Sequence, residues 1–127
     1  MPEELTKRNP VNWFEIYVQD MERAGKFYET VLGVELQPME TDLPMRGFPG
    51  GPDAHGCTGA LVYFEGMPPG GNSVMVYFSC EDCDVEGARV EDAGGHVVRE
   101  KMSIGQYGFI LLASDTEGNM FGLHSLR

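Results

Sequence analysis

Glu15 and His124 are the side chains of this sequence best suited to moving a proton. Glu15 lies in Trp-Phe-Glu-Ile-Tyr-Val, where strand alternation puts Trp13, Glu15 and Tyr17 on one face and Phe14, Ile16 and Val18 on the other. His124 follows Met120 and Gly122 at the same two-residue spacing. A carboxylate is costly to bury without a partner, and an imidazole titrates near neutral pH, so a fold that joined the two strands would offer general acid–base chemistry. The structural alternative ties Glu15 to a tyrosine hydroxyl, a histidine or a backbone donor. Cys80-Glu-Asp-Cys83 is the other chemical candidate. Redox work wants a lowered thiol pKa, which Glu81, Asp82 and Asp84 oppose. A structural zinc wants four ligands, and only Cys57 and scattered histidines remain to complete a set. The pair is therefore read as a strand end at Cys80 and a helix start at Cys83. Neither a dinucleotide-type glycine loop nor a nucleophile elbow is present.

The elements that must position these groups follow from a repeat. Residues 13–18 read as a strand, and Asp20 stands where a helix N-cap belongs. Met21, Ala24, Phe27, Tyr28, Val31 and Leu32 form an amphipathic stripe that Gly33 ends. A shift of 62 residues carries Trp13 to Met75, Glu15 to Tyr77, Asp20 to Asp82 and Gly33 to Gly95. Strand 74–78 and a helix bearing Val85, Ala88 and Ala93 repeat the unit, with Gly94-Gly95 as its stop. Further strands are expected over 34–39, near Met45, and over 60–65, 96–102, 107–113 and 120–125. The last two form a hairpin around Asp115-Thr-Glu-Gly-Asn119. Residues 43–59 form a Gly/Pro-rich loop suited to a pocket rim, and 66–71 a linker. The reading is one domain over 1–127, with modules at about 11–65 and 72–127 and a loosely held arm over 1–10.

Composition narrows the function. A chain of 127 residues with 42% hydrophobic content is long enough for one substantial core. The net charge of −11 argues against nucleic acid and anionic membrane partners, which are bound through Lys and Arg. No apolar run approaches the roughly 20 residues of a membrane helix, and the polar start lacks a secretory signal. Three cysteines cannot all pair within one chain, which fits a reducing compartment. A cytoplasmic protein is expected.

The opening stretch from Val18 to Gly33, Ala-Gly-Gly-His-Val-Val at 93–98 and Asp-Thr-Glu-Gly-Asn-Met-Phe-Gly-Leu at 115–123 together resemble the vicinal oxygen chelate superfamily of glyoxalase I, bleomycin-resistance proteins and extradiol dioxygenases. Ile-Gly-Gln-Tyr-Gly at 104–108 is similar to a bacterial glyoxalase-related branch without an assigned reaction. The resemblance implies an α+β fold of two βαβββ modules whose strands curl into a half-open mixed sheet around a cleft. It also implies metal ligands on the first and last strand of each module, positions held here by Trp13, Ala60, Met75 and Gly122. These offer no set of imidazole, carboxylate or thiolate donors. What remains is an aromatic, sulfur-rich cleft of Trp13, Tyr17, Met75, Tyr77, Met120 and Gly122, with Tyr107 as a wall and Phe48 as a cover. The expected function is binding of a small organic molecule, or metal-independent chemistry in which Glu15 or His124 moves a proton. No cofactor is expected. The alternatives are a metal-dependent lyase, isomerase or dioxygenase with relocated ligands drawn from Glu15, His124 and His55, and a drug- or metabolite-sequestering protein. The resemblance also implies a homodimer.

Overall fold

The computed structural model describes residues 11–51, 53–71 and 73–127. The arm expected over 1–10 lies outside the described residues. The chain runs β1 (Glu15–Tyr17), α1 (Met21–Leu32), β2 (Gln37–Pro38), β3 (Met45–Gly47) and β4 (Ala60–Val62). It continues β5 (Tyr77–Ser79), α2 (Cys83–Val90), β6 (His96–Ser103), β7 (Phe109–Ser114) and β8 (Met120–Ser125). This is βαβββ twice over, an α+β architecture with two mixed sheets ordered β1-β4-β3-β2 and β5-β8-β7-β6. Parallel β1 and β4 place Glu15 opposite Ala60, and parallel β5 and β8 place Tyr77 opposite Gly122. The two registers are related by the same 62-residue shift, so the sequence repeat is also a repeat in space.

Local chemistry explains both helices. The Asp20 carboxylate caps α1 by accepting the Arg23 N–H at 3.0 Å, and Gly33 closes it in the left-handed region at φ 68°. Asp82 caps α2 through the Asp84 N–H. That helix stops at Val90, earlier than the glycine pair suggests, and tightens into turns with Gly94 at φ 103°. Gly95 serves close approach: a side chain there would strike the Ser114 carbonyl and the Phe27 ring.

Several strands are shorter than the alternation predicts. The strand expected over 34–39 reduces to Gln37–Pro38, because the Val34 and Leu36 N–H groups are taken by the carbonyl and carboxylate of Glu29 on α1 instead of a neighbouring strand. The one expected over 60–65 stops at Val62, and the one over 74–78 shifts to Tyr77–Ser79. A 3-10 turn over Gly105–Tyr107 delays β7 to Phe109. A single core crosses both modules. It joins Ile16, Val18, Phe27, Tyr28 and Leu61 to Leu111, Phe121 and Leu123. Each large apolar side chain fully buried there contributes about 1.5–3 kcal/mol. Among the described residues no helix is long and apolar enough to cross a membrane.

Candidate functional site

The nine residues expected at the catalytic and ligand-binding positions fall into separate groups. On β1, Tyr17 donates its hydroxyl to Glu15 at 2.8 Å and the Trp13 indole N–H reaches the same carboxylate at 3.3 Å. Glu15 is exposed rather than buried, and its hydrogen bond is the chief cause that holds the Tyr17 hydroxyl above its usual pKa. In the second module the Tyr77 ring lies over Gly122, filling the space the missing side chain leaves. His124 Nε2 lies 2.7 Å from the Tyr107 carbonyl. A carbonyl only accepts, so Nε2 carries a hydrogen, which leaves the lone pair of the neutral ring on Nδ1. Tyr107 and Met120 are exposed and Met75 is half-buried. The hydrogen bonds of Glu15 come from its own strand and the residue two before it, and that of His124 from the turn before β7.

A cluster that the sequence did not single out joins the modules. The Glu117 side chain has no solvent exposure, yet it accepts the Gln19 and Asp20 N–H groups, both at 2.9 Å. It also accepts Arg23 Nε at 2.8 Å, Arg23 Nη2 at 3.0 Å and the Thr116 hydroxyl at 2.7 Å. Burial alone would raise its pKa, but these donors outweigh that and hold it at about 2. Asp115 accepts the buried Tyr28 hydroxyl at 2.6 Å and the N–H groups of Glu117 and Asn119. Asn119 donates to the Tyr17 carbonyl and accepts from the linker at Gly70. The β7–β8 turn thus clamps the β1–α1 junction.

The repeat extends to this turn. Asp53-Ala-His-Gly-Cys57 stands 62 residues before Asp115-Thr-Glu-Gly-Asn119, with Asp and Gly kept in place. That correspondence was the available signal, and it predicts a second clamp on the β5–α2 junction. The structure does not form one. Residues 53–57 are exposed, and a groove of about 1310 Å³ separates them from that junction. His55, Cys57, Phe14 and Phe48 line it from the first module, and Phe78, Cys80 and Glu86 from the second. Tyr77, Ile110 and His124 extend its lining. Phe14, Phe48 and Phe78 form a continuous aromatic wall with ring centres 5.4–6.0 Å apart. Of the nine expected residues, Tyr77 and His124 line this groove.

Burial first, and then the Glu86 carboxylate, push the Cys80 thiol up to about 12. The direction matches the expectation for the Cys-x-x-Cys pair, but the charge responsible is Glu86 on the facing helix turn, with burial foremost. Cys83 is fully buried at the start of α2, donating its N–H to Ser125.

The chain belongs to the Glyoxalase/Bleomycin resistance protein/Dioxygenase superfamily, whose family model matches residues 11–123. A glyoxalase/bleomycin resistance protein from Streptomyces sp. CB03234 is 30% identical, covering 91% of this chain and 100% of its own, with a TM-score of 0.64. TnmS3, an antibiotic binding protein from Streptomyces sp. CB03234, is 27% identical over 94% of this chain and 98% of its own, with a TM-score of 0.65. The hypothetical protein SA1046 from S. aureus is 26% identical over 91% and 96%, with a TM-score of 0.67. Among curated proteins none matches the sequence.

The resemblance puts a metal at Trp13, Ala60, Met75 and Gly122, and the residues there do not fit one. The Trp13 nitrogen is a donor engaged with Glu15, Ala60 and Gly122 bring no donor atom, and a thioether alone is a poor ligand for a divalent ion. Among the described residues no three His, Cys, Asp or Glu side chains are grouped to hold an ion elsewhere.

Proposed function

We propose that this chain binds a small organic molecule in the groove between its modules, as a sequestering protein or as an enzyme without a metal at the superfamily's usual positions. The observation that carries this reading is the asymmetry of the two junctions. One is closed by Glu117, Asp115 and Asn119, while its counterpart is left as an aromatic groove. An apolar cleft with a few convergent polar groups is the usual form of a ligand site. The likeness to an antibiotic binding protein supports the same class of role. For turnover, His124 is the group placed in the groove to take a proton, through Nδ1. Glu15, held by Trp13 and Tyr17, is the second acid–base candidate. The proposed setting is a homodimer in the cytoplasm, and light scattering on the purified chain measures the assembly.

Calorimetric titration with the neutral aromatic probe 2-naphthylmethanol tests the site. Phe48→Ala should weaken binding about tenfold or more, and Trp13→Ala should leave it unchanged. Loss of binding in Trp13→Ala alone would move the site to the Trp13, Glu15 and Tyr17 face. Analysis of the recovered probe by mass spectrometry separates binding from conversion.

A further inference from the structure

The repeat shows what the groove lacks and what it carries instead. On the closed side, Phe27 of α1 meets Phe121 of β8 at 5.8 Å, and Ala24, one turn earlier, is fully buried. Sixty-two residues on, Phe27 becomes Arg89 and Ala24 becomes Glu86, while Gly59 stands 62 residues before Phe121. Arg89 donates to the Val31 carbonyl at 3.1 Å, and Gly59 leaves only the Phe14 ring lying over it. Neither ring of the filled pair thus has an aromatic counterpart, and a carboxylate stands where the filled interface has a methyl group. Glu86 Oε1 is shut off from solvent and has no hydrogen-bond partner among the described residues, and the neighbour beside the carboxylate is the Cys80 thiol, which brings no positive charge. An unpartnered buried carboxylate oxygen is costly, and a cation placed beside it relieves the cost. Glu81 on the same groove is paired with Arg127 at 2.9 Å, so the negative charge left over in the lining is that of Glu86, on a chain whose net charge of −11 favours positive ligands.

We infer that the groove takes an aromatic molecule bearing a protonated amine, its rings against Phe14, Phe48 and Phe78 and its ammonium beside Glu86. This rests on the groove being the ligand site. The aromatic wall contributes to both halves of such a ligand, since phenyl faces attract cations as well as rings. Nothing in this assignment requires a covalent step.

The test compares two probes of one shape, 2-naphthylmethylamine and 2-naphthylmethanol, by calorimetry on the full chain at pH 7 and about 0.15 M salt, which screens the exposed charges. The amine should bind about 10- to 100-fold more tightly than the alcohol, the range of a charge-assisted hydrogen bond. Glu86→Gln should bring the two within about twofold by weakening the amine, and Phe48→Ala should weaken both. Equal affinities in the unaltered chain, or a preference for the amine that survives Glu86→Gln, would overturn the ammonium assignment and leave the groove standing as a ligand site. Binding of neither probe would overturn both. Circular dichroism of Glu86→Gln should show a thermal midpoint close to that of the unaltered chain, because glutamine keeps the shape of this half-buried side chain.

Discussion

Replacing Glu117 by Gln tests whether the clamp holds the modules together through its charge. The unaltered carboxyl sits at about 2 instead of its ordinary 4.5. Burial opposes ionisation, and the donors from Arg23, Thr116, Asp20 and Gln19 overcome it. The folded-state pKa is therefore depressed. The stability it contributes is fully present above about pH 5 and is lost as pH falls through the folded value near 2. A carboxyl displaced that far contributes about 3 kcal/mol in its ionised form. Glutamine keeps the shape and one acceptor oxygen, so it imitates the protonated acid. Urea unfolding followed by far-ultraviolet circular dichroism should show Glu117→Gln less stable by about 3 kcal/mol at pH 7, with the gap closing toward pH 2. Other carboxyl groups titrate in both chains and cancel in the difference. A difference that stays constant between pH 7 and pH 2, or one below about 1 kcal/mol at pH 7, would refute the argument that the charge does the holding.

Three further outcomes are expected. Gly122→Ala places a methyl group into the Tyr77 ring and should cost about 1–3 kcal/mol in thermal unfolding, with Tyr77→Ala in the same chain recovering part of the loss. Tyr28→Phe removes the 2.6 Å bond to Asp115 within the core and leaves a buried carboxylate short of one donor; a loss of about 1–3 kcal/mol is expected by urea titration. Iodoacetamide at pH 8 should label exposed Cys57 quickly and Cys80 slowly, since burial and Glu86 hold the Cys80 thiol near 12; peptide mapping that finds Cys80 labelled first would contradict this.

Much of the architecture was legible because it is set by near neighbours. Asp20, the stripe from Ala24 to Val31 and Gly33 define α1 without reference to anything beyond the helix. The 62-residue shift then predicts a second unit in the same register, because strand pairing depends on alternation that the repeat preserves. Strand lengths were less legible. Pairing is lost where backbone donors are taken elsewhere, as the Leu36 N–H is by Glu29, and where a turn intervenes, as before Phe109; both depend on neighbours the local pattern does not contain.

The site was the least legible part. Trp13, Glu15 and Tyr17 are gathered on one face by alternation alone, and the structure shows them bonded to one another. The position of Glu117 under Gln19 and Asp20 depends on contacts 97 and 98 residues apart, which no local pattern contains. The repeat even points the wrong way there, since Asp53-Ala-His-Gly-Cys57 copies the clamp's frame without its acceptors. By itself, then, the sequence determined two capped helices and a repeated register, because each depends on residue identity and short spacing. Only the tertiary structure decided that one module junction closes around a buried carboxylate while its mate stays open as an aromatic groove. That outcome rests on which side chains meet across the pseudo-symmetric interface, Phe27 with Phe121 on one side and Arg89 with Gly59 at the matching positions on the other.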